Sequence, residues 1–300
     1  MRYAGMTEIW KRTQTVFGLN ARWNQIAALL GGARRITQSS MFVLLISLTH
    51  AVADEYEEGL AAYNAGDYET AVKVWKPEAE RGDARAQAII GFMYSSGQGV
   101  PADPLEAIKW FRLAAEQGNS VAQLNLAMIY DRGIGVERDL EIAAYWYRLA
   151  ADQSVPTAQY ALGYMYHFGE GVPKNYEKAL HWYQKAAQLG LADAQFALGQ
   201  MYRSGTGTEL DNVTAARWYR HAAEQGHPDS QFAVGFMSEF GLGVPQNYVR
   251  AYSWYLIAAS NGAGVDKHLE VLSKRLNADE KLEASRKAEV CIESGYSDCP

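Results

Sequence analysis

The chain has 300 residues, of which 48% are hydrophobic and 12% aromatic, and its formal net charge at pH 7 is −6. This much apolar surface excludes a globally disordered chain, and the negative charge argues against nucleic acid as the main partner. No stretch reaches the ~18–20 consecutive apolar residues of a membrane-spanning helix, so we expect no membrane span in the mature chain.

Residues 1–53 are predicted to be a leader that ends in a secretory signal peptide. An apolar run over residues 41–53 follows a pair of arginines and ends in an Ala-Val-Ala sequence. A basic segment, a short apolar core and an Ala-x-Ala end are the three parts of such a signal. We therefore expect cleavage near Ala53/Asp54 and a periplasmic or secreted protein. The segment before the apolar run is long, so translation starting downstream of Met1 is an open alternative.

Residues 54–85 are predicted to form a short helical hairpin that caps the N-terminal end of the array that follows. The interval from Gly59 to Ala71 is 12 positions, whereas the equivalent interval from Gly91 to Ala107 is 16. The loop of this first hairpin is therefore expected to be four residues shorter than the later ones. Terminal units with a polar outer face are what an open-ended array requires.

Five units of 36 residues follow over residues 86–262, with no insertion between them. Every unit has (Ala/Ser)-Gln at its start, a small residue at position 6, a Gly-x-Gly loop and an aromatic pair that begins with Trp. Such self-similarity is typical of a solenoid, in which each unit buries its apolar face only by stacking on its neighbours. Positions in units 1 to 5 are counted from Ala86, Ala122, Ala158, Ala194 and Ser230.

Each unit is predicted to be a hairpin of two helices. In unit 3 the first helix ends at Gly169, because glycine lets the chain leave a helix and the proline that follows prevents its resumption. The second helix begins at Asn175 or Tyr176, and its apolar residues recur at helical spacing on one face. Unit 2 lacks the loop proline, at Glu137, and the closing glycine, at Ser154. Unit 4 has Thr208-Glu209 in place of Val-Pro. We expect these departures to loosen the local turns.

With these motifs the chain resembles the Sel-1-like repeat family, a branch of the tetratricopeptide superfamily, over roughly residues 55–262. The motifs that carry the resemblance are Ala-Gln-x-x-(Leu/Ile/Val)-(Gly/Ala), Gly-x-Gly-Val-Pro and Ala-x-x-Trp-(Tyr/Phe)-x-x-Ala-Ala. The resemblance implies an all-α fold, a right-handed α-solenoid of stacked helical hairpins with helical caps. The capping hairpin over residues 54–85 is more similar to an ordinary tetratricopeptide unit.

Residues 263–300 are predicted to form a C-terminal helical cap and tail, with charged amphipathic helices over residues 265–276 and 278–293. Cys291 and Cys299 are the only cysteines of the chain. In an oxidising compartment we expect a disulfide between them, which would fold the tail onto the last helix. Two free thiols are the alternative if the protein stays in the cytosol.

The geometry of the superfamily implies that the first helix of each unit lines a concave groove. Positions 3, 7 and 10–11 lie on one face of that helix, and they vary from unit to unit. An alternative explanation is that the aromatic side chains there only fill gaps between neighbouring helices. The predicted partner-binding residues are Phe92, Leu124, Met128, Arg132, Tyr160, Tyr164, His167, Phe196, Gln200, Arg203, Phe232 and Phe236.

The resemblance implies a non-catalytic scaffold in the cell envelope that binds a protein or peptide partner. An alternative is a protein that binds envelope glycan or exopolysaccharide, because aromatic faces also stack on sugar rings. A β-lactamase-like hydrolase is disfavoured, since the family's cysteine-rich subgroup has a cysteine pair in each repeat and these repeats have none. No cysteine accompanies the histidines of the repeats, so we expect no metal. The Gly-x-Gly loop turns a helical hairpin rather than leading from a strand into a helix, so we also expect no cofactor and no catalytic residue.

Overall fold

The structure, a computed structural model, describes residues 56–300. The predicted leader and signal peptide lie outside the described residues. Within residues 56–300 the protein is all-α, with fourteen helices and no strand. The helices are α1 (56–64), α2 (Tyr68–Glu80), α3 (Ala84–Ser96), α4 (Pro104–Glu116), α5 (Ser120–Arg132), α6 (Leu140–Asp152), α7 (Pro156–Phe168), α8 (Tyr176–Gln188), α9 (Ala192–Ser204), α10 (Asn212–Ala223), α11 (Pro228–Phe240), α12 (Tyr248–Ser260), α13 (Asp266–Arg275) and α14 (Ala278–Glu293).

Residues Glu58–Pro300 form one compact body that is built as an array of helical hairpins. The two helices of each unit pack on one another, as α3 does on α4 and α11 on α12. Each second helix also packs on the first helix of the next unit, as α4 does on α5. Because every unit is covered by its chain neighbours, the predicted all-α solenoid is confirmed.

The Gly-x-Gly loop is explained by the backbone geometry of both glycines. The first is the C-cap of the first helix and has a left-handed conformation, with φ of 79° at Gly169, which glycine adopts without steric cost. The second lies against the preceding unit, because a Cβ on Gly171 would overlap the carbonyl oxygen of Leu140. The loop motif therefore serves the packing of one unit on the next.

The small residue at position 6 makes room for an aromatic ring of the second helix. A Cβ on Gly163 would lie only 2.7 Å from Cδ1 of Tyr183, well inside the usual contact distance of about 3.5–4.0 Å. In unit 2 this position is occupied by Ala127, which is fully buried. The second-helix ring thus lies directly on the first-helix backbone.

A buried glutamine at position 2 links each unit to the one before it. In unit 2, Gln123 Nε2 donates to the carbonyl oxygen of Ala115 over 3.1 Å, and Gln123 Oε1 accepts from Gln153 Nε2, at position 32, over 2.8 Å. The same two hydrogen bonds occur in units 1, 4 and 5. Unit 3 has Leu189 at position 32, and the buried Oε1 of Gln159 accepts no hydrogen bond from the described residues.

The two departures in unit 2 leave the turn geometry unchanged. Ser154, which stands where the other units have glycine, adopts φ of 64°. The amide of Asp139 donates to the carbonyl oxygen of Tyr130 over 2.9 Å, and an equivalent bond closes the loop of every other unit. The expected loosening of these turns is therefore wrong.

The ends of the array are covered by helices of different kinds. At the N-terminal end α1 and α2 form a hairpin whose loop, residues 65–67, is four residues shorter than the loop of unit 1, residues 97–103. At the C-terminal end α13 and α14 both pack on α12, where Trp254 is fully buried. Asn277 is the N-cap of α14, and it forms a capping box with Glu280.

The C-terminal tail is attached to the last two units. Cys291 and Cys299 are joined by a disulfide, with their Cα atoms 4.5 Å apart. The guanidinium of Arg220 donates to the carbonyl oxygens of Cys299 and Pro300, and the indole N–H of Trp254 also donates to the Pro300 oxygen. Across residues 56–300 every helix is too short or too polar to span a lipid bilayer.

Candidate functional site

The first-helix face is the surface formed by positions 3, 7, 10 and 11 of the five units. The structure places all twelve predicted partner-binding residues on the first helices α3, α5, α7, α9 and α11, and none of the twelve is buried. Their side chains are therefore at least partly open to solvent. The four positions differ in their contacts and fall into three groups: position 3, positions 7 and 11, and position 10.

Position 3 carries aromatic rings that pack within their own unit. In units 3, 4 and 5 the ring at this position lies against the second-helix tyrosine, at centre-to-centre distances of 5.6–5.7 Å, which is a usual spacing for aromatic pairs. The gap-filling explanation therefore applies to this position in part, since these rings keep one side half-exposed. The pairs are Tyr160–Tyr183, Phe196–Tyr219 and Phe232–Tyr255.

Positions 7 and 11 carry the aromatic rings that are most exposed on this face. In unit 3 the rings of Tyr164 and Phe168 are 4.4 Å apart, and 39% and 54% of these residues' surfaces are exposed. In unit 5, Phe236 and Phe240 form a similar pair, with their ring centres 4.7 Å apart. Neighbouring exposed rings are typical of binding surfaces, so packing alone does not account for these two pairs.

In units 2 and 5 the acidic side chain at position 10 accepts a hydrogen bond from the tyrosine hydroxyl of the same unit. Tyr147 donates to Asp131 Oδ2 over 3.2 Å in unit 2, and Tyr255 donates to Glu239 Oε2 over 2.8 Å in unit 5. Burial, with a contribution from Asp131, raises the pKa of Tyr147 above its ordinary value, so the hydroxyl stays protonated and remains a donor.

Sequence reasoning missed this pairing because the tyrosine belongs to the repeated aromatic pair, which stacking alone explains. A signal was nevertheless present in the sequence. In both cases the acidic residue at position 10 precedes the tyrosine by 16 residues. This spacing alone does not show that the hydroxyl reaches the first-helix face. That depends on the ring packing over the small residue at position 6.

The charge at position 10 changes from unit to unit. In unit 4, Arg203 takes the place of the acidic residue; burial raises the pKa of Tyr219, and the neighbouring Arg203 opposes that shift. In unit 3 the residue is His167, whose ring centre is 6.2 Å from that of Tyr183. Burial lowers the pKa of His167 and the charge of Lys174 lowers it further, so the imidazole is neutral near pH 7. Its buried Nδ1 has no hydrogen-bond partner within residues 56–300.

A cavity of about 390 Å³ opens on the first-helix face between units 2 and 3. Its walls come from the end of α5, from the middle of α6 and α7 and from the loops after both first helices, so both units are needed to form it. This volume lies within the range of about 300–1,000 Å³ that small-ligand pockets occupy. The polar residues that line it are Asp131, Arg138, Tyr147, Tyr160, Tyr164 and Glu170.

Arg138 connects the loop of unit 2 to this cavity. Its Nε donates to the backbone carbonyl oxygen of Asp131 over 2.6 Å, and its Nη2 lies 3.6 Å from Asp131 Oδ1. In unit 5 the equivalent residue, Gln246, donates in the same way to the carbonyl oxygen of Glu239 over 2.8 Å. A hydrogen bond to the backbone carbonyl oxygen of position 10 is therefore common to the loops of units 2 and 5. Of these two loops, only that of unit 2 has a positive charge at this position.

At the C-terminal end the cap supplies a histidine to an equivalent pair of acid and tyrosine. His268 lies on α13, 36 residues after Phe232, where position 3 of a sixth unit would fall. Its Nδ1 is 2.9 Å from Glu239 Oε2 and 3.2 Å from the hydroxyl of Tyr255. Glu239 is buried here, with 6% of its surface exposed. Glu239 and His268 are 29 residues apart in the chain, so no local spacing indicates that they are partners.

Two further observations concern the histidines and the question of a metal site. His227 Nε2 lies 3.5 Å from Asp193 Oδ1, a pairing that again joins two units. Among residues 56–300 no group of three or more His, Cys, Asp or Glu side chains is arranged to hold a metal ion.

A family model of the Sel1 repeat matches residues 84–119, 120–155, 156–191, 192–227 and 228–262. Its first boundary lies two residues before the predicted start at Ala86 and coincides with the start of α3. No curated protein sequence matches the chain significantly.

Two solved structures share the fold at more than 30% sequence identity. One is a protective antigen of uropathogenic Escherichia coli with an SLR fold, which is 33% identical with a TM-score of 0.72, over 81% of this chain and 54% of that one. The other is a Sel1 repeat protein from Oxalobacter formigenes, 34% identical with a TM-score of 0.65, over 70% of this chain and 83% of that one. The chain thus spans about half the length of the E. coli antigen.

Proposed function

Because the chain belongs to the Sel1 repeat family, whose members generally mediate protein–protein interactions, we propose that it is a non-catalytic scaffold that binds a protein or peptide partner. The binding surface in this proposal is the first-helix face around units 2 and 3. The observation that carries it is the exposed pair of Tyr164 and Phe168 beside the cavity of about 390 Å³. An exposed aromatic pair next to a pocket with polar walls is the usual composition of a protein-binding centre.

The proposal places the protein in the cell envelope. The three-part signal sequence that ends near Ala53 supports export, and so does the disulfide between Cys291 and Cys299, because such bonds persist in oxidising compartments. The N-terminal sequence of the exported protein is expected to read Asp-Glu-Tyr-Glu, beginning at Asp54. An intact leader on a soluble cytosolic protein would contradict the proposed location, but it would not affect the proposal that the first-helix face binds the partner.

The binding face is tested by site-specific photocrosslinking in the native host. A photoreactive phenylalanine analogue replaces Tyr164 on the first-helix face in one variant and Tyr145 on α6 in the other. Both positions are tyrosines and both are exposed, at 39% and 56%, but Tyr145 belongs to a second helix. The matched pair therefore separates the two faces of the array while the residue type stays the same.

We expect position 164 to give a discrete crosslinked protein and position 145 to give none. A partner captured only from position 145 would show that binding uses the second helices, and the first-helix face would be abandoned. The crosslinked band is identified by mass spectrometry, and competition by unmodified protein shows that the capture is saturable.

Envelope glycan is the second candidate ligand for the same surface. The exposed rings of Tyr164 and Phe168 favour it, because a flat aromatic face can stack on a sugar ring. The test is sedimentation with purified peptidoglycan and binding to glycan arrays, with Tyr164→Ala as the control. Glycan binding that this substitution abolishes, together with no protein crosslink from position 164, would replace the protein partner by a glycan.

A further inference from the structure

We propose that the cavity between units 2 and 3 binds a lysine or arginine side chain of the partner. The inference rests on the proposed function, since it assigns the chemistry of the group that enters the first-helix face. It is carried by four observations, which concern the hydrogen bonds left open in the cavity, its aromatic walls, the equivalent site at the end of the array and the charge of the chain.

The cavity contains more acceptor capacity than the protein itself uses. Asp131 Oδ2 accepts from the Tyr147 hydroxyl, but Oδ1 has only the Arg138 Nη2 at 3.6 Å, which is beyond hydrogen-bond distance. The Glu170 carboxylate makes no hydrogen bond or ion pair within the described part of the chain. Two carboxylates thus face one cavity whose lining contains a single positively charged residue, Arg138, and a partner that brings N–H groups would supply further donors to them.

Aromatic walls fit a cationic group for a separate reason. Tyr160 and Tyr164 line the cavity, and their hydroxyl groups form no hydrogen bond within residues 56–300. The face of an aromatic ring attracts an ammonium or guanidinium group that lies within about 6 Å of the ring centre. At partly exposed sites this attraction raises the affinity by roughly 10-fold or less. Carboxylates and tyrosine faces in one pocket therefore reinforce each other toward a basic side chain.

The other end of the array shows the same acid and tyrosine pair already bound to a nitrogen donor. In unit 5 the imidazole of His268 lies within 3.2 Å of both Glu239 and Tyr255. The equivalent pair in unit 2 is Asp131 and Tyr147, and there the chain provides no such imidazole, because the residue corresponding to His268 is Tyr160. The cap thus supplies to unit 5 the kind of group that unit 2 would take from a partner.

The charge of the chain favours the same class of ligand. Six of the 28 Lys and Arg residues and one of the 34 Asp and Glu residues lie in residues 1–53, so residues 54–300 carry a formal net charge of −11. A surface with an excess of negative charge raises the local concentration of basic ligands and speeds their association.

Two positive charges oppose a basic ligand: Arg138, which lines the cavity, and Arg132, which lies outside the lining but whose charge acts on Tyr147. Arg138 provides the sharper test. Its charge competes for Asp131, whereas its bond to the Asp131 carbonyl oxygen is of the kind that Gln246 makes in unit 5. Arg138→Gln therefore removes the charge and keeps a side chain that the fold already uses at this position. A basic ligand should bind this variant more tightly, and a ligand that needs a donor from Arg138 should bind it more weakly.

The experiment selects peptides from a phage-displayed library of random dodecapeptides on the purified protein. We expect one position of the selected peptides to be Lys or Arg, and replacing that residue by Gln should weaken binding by on the order of 10-fold, as measured by fluorescence anisotropy. Asp131→Asn should weaken the same peptide by on the order of 10-fold, and Arg138→Gln should tighten it by roughly 3-fold. A gain of affinity cannot result from misfolding, so the Arg138 variant remains informative even if Asp131→Asn is unstable.

Each outcome decides between the two proposals. Selected peptides that lack a basic residue, but that lose binding on Tyr164→Ala, would overturn the cationic assignment and leave the first-helix face in place. Weaker binding to Arg138→Gln would also overturn it, in favour of an anionic or sugar ligand. If the library yields no peptide whose binding depends on Tyr164, both the basic-side-chain inference and the proposed binding face are contradicted.

Discussion

Replacing Leu189 by glutamine is predicted to stabilise the protein by completing a hydrogen bond that four other units already have. In units 1, 2, 4 and 5 an amide at position 32 donates to the buried glutamine oxygen at position 2 over 2.8–2.9 Å. In unit 3 the leucine cannot donate, and Gln159 Oε1 is buried without a partner among the described residues. The missing hydrogen bond is therefore confined to unit 3, and an amide side chain at position 32 supplies it in the other four units.

The size of the effect follows from two opposing contributions. Leaving a buried acceptor unsatisfied costs about 1–3 kcal/mol, and a new neutral hydrogen bond contributes about 0.5–1.5 kcal/mol net. Leu189 is 52% exposed, so its replacement removes little buried apolar surface, worth roughly 0.5 kcal/mol. We therefore expect Leu189→Gln to raise the free energy of unfolding by about 1 kcal/mol.

The assay is urea unfolding followed by far-ultraviolet circular dichroism, with free energies compared at a fixed urea concentration because arrays can unfold in steps. Leu189→Ala is the control for loss of the leucine side chain, and we expect it to be neutral or slightly destabilising. Gln153→Leu creates the unit 3 defect in unit 2 and should lower the free energy of unfolding by about 1–2 kcal/mol.

A double-mutant cycle identifies the cause of any stabilisation. In a Gln159→Leu background the acceptor is absent, so Leu189→Gln should no longer stabilise the protein. If the gain persists in that background, or if Leu189→Gln does not differ from Leu189→Ala, the buried oxygen is not what limits unit 3 and the reasoning fails.

Three further predictions concern single positions. Gly199→Ala should lower the free energy of unfolding by about 1–3 kcal/mol, because its Cβ would lie 2.5 Å from two ring carbons of Tyr219; an unchanged melting temperature would contradict this. Ser154→Gly should raise it by about 0.5–1 kcal/mol in urea unfolding, since φ there is 64°. His167 should titrate below its ordinary pKa of 6.5 by NMR, so its contribution to stability is present above pH 6.5 and is lost as the pH falls through the folded-state pKa; a midpoint above 6.5 would refute it.

The periodic features of the fold could be predicted from the sequence because each is repeated five times. Hairpin order and the glycine ends of the first helices follow from local signals that act within a few residues. The predicted first unit starts at Ala86, whereas α3 begins at Ala84 behind its N-cap Asp83. That shift reflects a capping residue that lies outside the repeated motif.

The cavity could not be predicted in the same way, because it depends on residues from two units that share no motif. Asp131 and Arg138 come from unit 2, whereas Tyr160, Tyr164 and Glu170 come from unit 3. Each of these side chains is polar or aromatic at a variable position, and only the stacking of the units brings them to one place. Of these lining residues only Tyr160 and Tyr164 are among the predicted partner-binding residues, since exposed aromatic patches are typical of binding surfaces.

An unpaired buried oxygen and the cavity both lie at α7, and their proximity is a reason to expect that binding centres on unit 3. Gln159 has an unpaired buried oxygen, and the next residue, Tyr160, lines the cavity. We expect a first helix with both features to be held less firmly than its counterparts, and segments of low local stability are where proteins most readily adjust to a ligand. A partner side chain that filled the cavity would add contacts to this helix, so binding would stabilise unit 3 by mass action. Natural sequences tolerate such local conflicts mainly where function gains from them, and Leu189→Gln separates the two contributions because it repairs the hydrogen bond without altering any residue of the cavity.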